Sequence, residues 1–118
     1  MQRLEVKIRL HNGSDIAMGP GKADLLAAIA QHGSISAAAR ALGMSYRRAW
    51  LLVETMNRSF REPLVSTLAG GKQGGGTRLT APGEQVLQRY RALCAKAQAA
   101  VQDDAALLAE LLAELPAC

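Results

Sequence analysis

Residues 34–57 read SISAAARALGMSYRRAWLLVETMN, and this stretch decides the fold class. Ala37–Leu42 is alanine-rich with high helix propensity, and Gly43 after it allows a tight turn. Ser45 is then placed to cap a second helix. The apolar positions of that helix recur at helical spacing and predict one buried stripe: Ala49, Leu52, Val53, Met56 and Phe60. Two helices joined by a glycine turn are typical of a helix-turn-helix, with Ser45–Asn57 as its recognition helix.

The first turn of this recognition helix carries the residues expected to contact DNA. The major groove is about as wide as a helix with its side chains, so the N-terminal residues of a docked helix meet base edges. We therefore predict DNA contacts for Ser45, Tyr46, Arg47 and Arg48, since an arginine can bind guanine through two hydrogen bonds. The predicted DNA-binding set also includes Ser34 and Ser36, the two candidate N-caps of the preceding helix.

Trp50 has two interpretations. It shares a helix face with Arg47 and Glu54, opposite the predicted buried stripe. Most tryptophans are there for burial, which favours packing against a neighbouring helix. The alternative is contact with a thymine methyl group or a sugar edge, and Trp50 is kept among the candidate DNA-binding residues on that basis.

A second motif follows directly, at residues 64–79. Leu64–Leu68 and Thr77–Leu79 are strand-like, and the loop between them contains five glycines, at positions 70, 71, 74, 75 and 76. A winged helix needs such a hairpin after its recognition helix, with cations that reach the DNA backbone or minor groove; Lys72 and Arg78 supply them. A phosphate-binding P-loop does not fit, because no Ser or Thr follows Lys72 and a strand comes next. A hairpin tip without a binding role remains the plain alternative.

The flanking segments complete a mainly α fold with a small amount of β structure. Alternating apolar residues at Leu4–Leu10 predict an N-terminal strand or hairpin, and Thr80 with Pro82 predicts the start of a long last helix. That helix carries a narrow apolar stripe predicted to form a homodimer: Val86, Leu87, Tyr90, Leu93, Ala97 and Val101. Folding back over the chain's own core is the alternative. We expect residues 1–80 to form the DNA-binding domain and 81–118 a dimerisation helix with an acidic, leucine-rich tail, in one structural unit.

Charge and composition agree with this function class. The net charge of +4 is unevenly spread, since the segment from Arg40 to Arg78 is basic whereas no Lys or Arg follows Lys96. With 118 residues, 49% of them apolar, one domain with one core is expected. No membrane span or signal peptide is predicted, and the cysteine and histidine spacing favours neither disulfides nor a zinc site, so a cytoplasmic protein is expected. We predict no catalytic residues, metal or cofactor, and hence no enzyme.

These motifs resemble a known family. The stretches GSISAAARALGMSYRRAW (33–50) and PLVSTLAGGKQGGGTRLT (63–80) resemble the N-terminal domain of the molybdate-responsive ModE regulators, within the wider LysR-type winged helix-turn-helix group. The resemblance implies a homodimer held by the N-terminal strands and the last helix. It also implies that Ser45, Tyr46, Arg47, Arg48 and Trp50 face DNA, with Lys72 on the wing. ModE regulators carry molybdate-binding domains after this module, whereas this sequence ends at Cys118, so molybdate sensing is not carried over; a separate sensor, another signal or no ligand is expected.

Three hypotheses follow for the function. The first is a homodimeric transcriptional regulator that binds a palindromic operator in double-stranded DNA. The second is a protein-interaction module that uses the fold for assembly and docks a partner on its leucine-rich tail. The third, and least favoured, is a small-oxyanion binder that uses the glycine loop.

Overall fold

A computed structural model describes residues 3–68 and 76–115 of the chain. Its elements run in the order β1 (Leu10–Asn12), β2 (Asp15–Met18), α1 (Pro20–His32), α2 (Ile35–Ala41), α3 (Tyr46–Ser59), β3 (Val65–Thr67), β4 (Thr77–Leu79), α4 (Ala81–Ala100) and α5 (Gln102–Ala109). The strands form two separate antiparallel hairpins, β1–β2 and β3–β4. The predicted class, a mainly α winged helix-turn-helix with little β structure, is confirmed.

The helix-turn-helix is built by local signals in the sequence. Gly33 ends α1 in the left-handed region, at φ 75°, and the Ser34 hydroxyl caps α2 by accepting a hydrogen bond from the Ala37 amide at 3.0 Å. Gly43, at φ 68°, makes the turn between α2 and α3. The six largest fully buried side chains form the centre of the core: Met18, Leu25, Leu26, Ile29, Met56 and Leu64. The recognition helix thus packs against α1, α2 and β2, with Leu64 beside them in the same core.

The N-terminal strand is shorter than the alternation predicts. Pairing is confined to Leu10–Asn12 with Asp15–Met18, around a turn at Gly13 with φ 62°. Residues 3–9 belong to no strand, and the Ile8 carbonyl accepts a hydrogen bond from the Tyr90 hydroxyl at 2.6 Å. Of the alternating apolar residues, Val6 and Ile8 are half-buried, whereas Leu4 and Leu10 are exposed. Within residues 3–68 and 76–115, no neighbouring strand pairs with this segment.

The wing hairpin pairs Val65 with Leu79, Ser66 with Arg78 and Thr67 with Thr77. Its second strand is joined to the end of α1, because the Thr77 amide donates to the Gly33 carbonyl at 2.9 Å. Its first strand is joined to the start of α4, where the Thr80 amide donates to the Leu64 carbonyl at 2.9 Å. The tip at 69–75, which includes Lys72, lies outside the described residues.

The predicted dimerisation stripe on the last helix is divided by the structure. Leu87 and Tyr90 are only 8% and 9% exposed and belong to the core of their own chain, so their assignment to a dimer surface is corrected. Leu93, in contrast, is 50% exposed and Val101 37%. Part of this helix therefore follows the alternative and folds back over the core, because the core of α1 and β4 leaves one side open for it.

The last helix is also interrupted, at Val101 between α4 and α5. The backbone of Val101, at φ −102° and ψ 4°, departs from helical geometry. Asp103 and Asp104 lie in the first turn of α5, where negative charge is favourable. None of the residues of α5 is buried, and the molecule measures 59 × 35 × 24 Å. In the described ranges 3–68 and 76–115, no helix has the length and apolar character needed to cross a bilayer.

Candidate nucleic-acid interface

The recognition helix α3 begins as the sequence predicts. The Ser45 hydroxyl accepts a hydrogen bond from the Arg48 amide at 3.1 Å, which caps the helix. Tyr46, Arg47 and Arg48 follow in the first turn, and all three are exposed. The buried stripe also forms as predicted, with Ala49, Val53 and Met56 in the core. One amphipathic helix therefore holds its inner face in the core and presents a basic first turn to solvent.

This basic first turn does not stabilise the helix. The N-terminus of a helix carries a partial positive charge, which favours acids and disfavours cations in the first turn. The first turn of α3 contains no acid and two arginines. Within the part of the chain that the structure describes, neither Arg47 nor Arg48 forms an ion pair. Both guanidinium groups are thus available to an external anion, such as a phosphate at a helix N-terminus.

Farther along the same face, the charges are already neutralised within the chain. Arg58 binds the Asp15 carboxylate through Nε and Nη2, both at 3.2 Å, and its Nη1 lies 3.6 Å from Oε1 of Glu54. The hydrogen bonds from Arg58 hold the pKa of Asp15 below its ordinary value. The side-chain amide of Asn12 also donates, through Nδ2, to the Ser59 carbonyl at 2.8 Å. The β1–β2 hairpin therefore binds the C-terminal end of α3, which nothing in the local sequence pattern indicates.

Trp50 is on the exposed side of α3. Its side chain is 45% exposed, and its neighbour Leu51 is 44% exposed. The favoured interpretation, that Trp50 packs against a neighbouring helix, is therefore wrong for this structure. A tryptophan and a leucine beside Arg47 form an apolar border to the basic first turn, and contact of Trp50 with DNA stays a prediction.

The two candidate N-caps of α2, Ser34 and Ser36, occupy different positions in the structure. Ser34 is the N-cap and is half-buried, whereas Ser36 lies one residue inside the helix and is exposed. Ser36 is therefore not the cap, and its hydroxyl is free of that backbone role. DNA contacts by either serine stay predictions.

Arg78 is exposed on β4, but it lies on the α1 and α4 side of the wing. It lines a surface depression of about 480 Å³ together with Ala30, Ser66, Thr80 and Glu84 among others. The residues of the recognition helix do not line this depression. The depression is therefore not a site shared by Arg78 and the first turn of α3, and DNA contact by Arg78 stays a prediction.

Two residues near the site were missed by the sequence analysis. Partial burial lowers the pKa of Lys22 at the start of α1; Asp15 opposes this effect, and the Arg48 guanidinium adds to it. Lys22 therefore extends the positive field beside the recognition helix. Asn57, in the last turns of α3, forms three hydrogen bonds to backbone groups of Leu64 and Val65 at the start of the wing. Periodicity reveals neither, since each depends on a contact between segments.

Comparison with known protein families identifies the same helix-turn-helix domain. The pattern of the bacterial regulatory helix-turn-helix proteins of the lysR family matches residues 22–84, from the start of α1 to the first turn of α4. This range contains the whole helix-turn-helix and the wing.

Several relatives are similar over most of the chain. The molybdenum transport protein ModE of Azotobacter vinelandii is 40% identical over 99 residues, 84% of this chain and 37% of that protein. The molybdenum-pterin-binding protein MopB of Rhodobacter capsulatus is 49% identical over 76 residues, 64% of this chain and 28% of that protein. The DNA-binding transcriptional dual regulator ModE of Escherichia coli K12 is 36% identical over 115 residues, 94% of this chain and 44% of that protein.

The match thus covers less than half the length of each of these relatives. The similarity confirms the resemblance to ModE proteins, and the family pattern, at residues 22–84, contains the recognition helix and both wing strands. Because the family pattern covers more than half of the chain, the chain belongs to the lysR family of bacterial regulatory helix-turn-helix proteins.

Proposed function

We propose that this chain regulates transcription by binding double-stranded DNA through the first turn of α3. The observation that carries the proposal is the pair Arg47 and Arg48, which are exposed, without ion pairs among the described residues, and placed at a capped helix N-terminus. Such a turn fits the major groove, where arginine binds guanine and the helix dipole favours phosphate. A regulator that acts on bacterial DNA works in the cytoplasm.

We further infer that the active form is a homodimer on a palindromic operator. An apolar groove of about 480 Å³ lies between the N-terminal segment and α4. Its lining includes Ile8, Leu10, Val86 and the exposed Leu93. A second chain that covers this groove would bury apolar surface and present two recognition helices, which matches a two-fold symmetric site. In this arrangement Ala97 and Val101 extend the contact along α4.

The test of DNA binding is the salt dependence of affinity for a duplex promoter fragment. We expect the logarithm of the association constant to fall linearly with the logarithm of salt concentration, because bound phosphates release counterions. The double variant Arg47→Ala/Arg48→Ala should reduce the slope by about 1 for each phosphate contact removed. Arg91→Ala, which removes an exposed cation of α4, is the control and should leave the slope unchanged. A wild-type chain without a salt-dependent affinity would refute the proposal.

The homodimer is tested by sedimentation at micromolar concentration. We expect the mass of two chains for the wild type and of one chain for Leu93→Asp, because Leu93 is half exposed and its replacement leaves the core intact. A wild-type chain that sediments as a monomer would remove the dimer and, with it, the palindromic operator.

One observation favours a second candidate function, a protein-interaction module. Five leucines of α5 and the residues after it are more than half exposed, flanked by acids: Leu107, Leu108, Leu111, Leu112 and Leu115. Absence of DNA binding in the salt experiment would favour this alternative. The oxyanion hypothesis depends on the glycine loop, which lies outside the described residues. Millimolar molybdate that leaves the melting temperature unchanged would dispose of it.

A further inference from the structure

Asn57 connects the recognition helix to the wing through its side-chain amide. Its Oδ1 accepts hydrogen bonds from the amides of Leu64, at 2.9 Å, and Val65, at 3.1 Å. Its Nδ2 donates to the carbonyl of Val65 at 3.1 Å. The amide therefore exchanges a donor and an acceptor with one residue, Val65, as a neighbouring β-strand does. An amide side chain offers a donor and an acceptor side by side in this way, whereas an ionised carboxylate only accepts.

This link has no substitute among the described residues. The other polar contacts of the wing lead elsewhere: Thr77 bonds to Gly33 after α1, and Thr80 bonds to Pro63 and Leu64 at the start of α4. In residues 3–68 and 76–115, no other hydrogen bond joins α3 to β3 or β4. The orientation of the wing relative to the recognition helix thus depends on apolar contacts, which are not directional, and on the side-chain amide of Asn57, whose hydrogen bonds are directional.

The bonds are also placed where the wing begins. Val65 is the first residue of β3, and both Leu64 and Val65 are buried. A small rotation at this point moves the far end of the hairpin by a larger amount. Asn57 itself faces inward from α3 and is half-buried, so it is a poor candidate for direct contact with DNA.

We propose that Asn57 is a positioning residue that orients the wing relative to the recognition helix, so that both elements bind the same duplex. The inference rests on the proposed function, DNA binding by α3, and adds that the wing contributes phosphate contacts only when Asn57 holds it. Arg78 is the described cation of the wing and serves as the probe of those contacts.

The experiment is a double-mutant cycle between Asn57→Ala and Arg78→Ala, measured on the full chain as the salt slope of duplex binding. In the wild-type background we expect Arg78→Ala to reduce the slope by about 1. In the Asn57→Ala background the slope is already smaller by at least this amount, and Arg78→Ala changes it no further. A residue that only stabilises the fold would leave the slope of the folded protein unchanged.

Two further variants control for loss of stability. Asn57→Asp keeps the acceptor for the Leu64 and Val65 amides and replaces the donor to the Val65 carbonyl with a second acceptor, so it retains two of the three hydrogen bonds that Asn57→Ala removes. In the Asn57→Asp background, Arg78→Ala should also leave the salt slope unchanged. Asn12→Ala removes an amide-to-backbone bond at the same end of α3 without touching the wing, and it should keep the full effect of Arg78→Ala.

The outcomes separate the two proposals. If the wild-type chain shows no salt-dependent DNA binding, the proposed function fails. If the wild type binds but Arg78→Ala lowers the slope equally in the wild-type and Asn57 backgrounds, only the positioning role is overturned. If Arg78→Ala has no effect in either background, the wing makes no contact for Asn57 to position, and the inference is again overturned while DNA binding by α3 stands.

Discussion

Gly83→Ala is expected to be strongly destabilising, because Gly83, in the first turn of α4, lies against the backbone of Leu64 just before β3. A Cβ atom at this position would lie 2.0 Å from the Leu64 carbonyl oxygen and 2.9 Å from its carbon. Real Cβ atoms essentially never come closer than 3.0 Å to a heavy atom, and the atoms here belong to the backbone. Either α4 or the start of β3 must therefore move by about 1 Å.

The magnitude follows from what this movement disrupts. Forcing a methyl group into a packed site costs about 1–3 kcal/mol. The same movement strains two hydrogen bonds, from the Thr80 amide to the Leu64 carbonyl and from the Thr80 hydroxyl to the Pro63 carbonyl, each worth about 1 kcal/mol. The greater helix propensity of Ala offsets at most about 1 kcal/mol. We expect the free energy of unfolding to fall by about 2–3 kcal/mol.

Urea denaturation followed by circular dichroism measures this change at fixed protein concentration. With a slope of about 1.5 kcal/mol per molar urea, the midpoint should fall by about 1.3–2 M. Gly21→Ala is the matched control, since Gly21 is also in the first turn of a helix but has no atom within 4 Å of the added Cβ. That variant should be unchanged or more stable by up to about 1 kcal/mol. Equal stability of the two variants would refute the close-approach argument.

Two further predictions concern caps and pH. Ser34→Ala should cost about 1 kcal/mol of unfolding free energy, because Ser34 caps α2, whereas Ser36→Ala should change it by less than about 0.5 kcal/mol; equal losses in thermal denaturation would contradict the cap assignment. Burial, and then the Cys94 thiol, raise the pKa of Tyr90 to about 12. The neutral phenol is thus favoured in the folded chain, and its contribution to stability is present below about pH 10 and is lost as the pH rises towards 12. Phenolate absorbance of Tyr46→Phe, in which Tyr90 is the remaining tyrosine, should follow this pKa; ionisation near pH 10 in the folded chain would contradict it.

The helix-turn-helix was predictable because its signals are local. The caps at Ser45 and Thr80, the glycine turn at Gly43 and the buried stripe of α3 each act within a few residues, and all agree. The wing strands were predictable for the same reason, since a glycine-rich loop separates two short strand-like segments.

The remaining features depend on contacts between distant segments. The burial of Leu87 and Tyr90 requires knowledge of which side of the core is left open, and the pattern of α4 does not contain it. The N-terminal strand is short because no other described strand pairs with residues 3–9, which alternation alone does not reveal. Asn57 has an ordinary helix position in the sequence, and its role depends on the path that the chain takes after Pro63.

The polar contacts of α3 with other parts of the chain have a mechanical consequence. Among the described residues these contacts are confined to the last turns, at Asn57, Arg58 and Ser59. From Arg58 to Arg47 the helix is about 17 Å long at 1.5 Å per residue. A rotation of α3 by about 5° about its last turns therefore displaces its first turn by about 1.5 Å, which is enough to break a hydrogen bond to a base. A substitution in the β1–β2 hairpin or at the start of the wing, far from DNA, can therefore change the base contacts of the first turn, because a small rotation at one end of α3 becomes a larger displacement at the other.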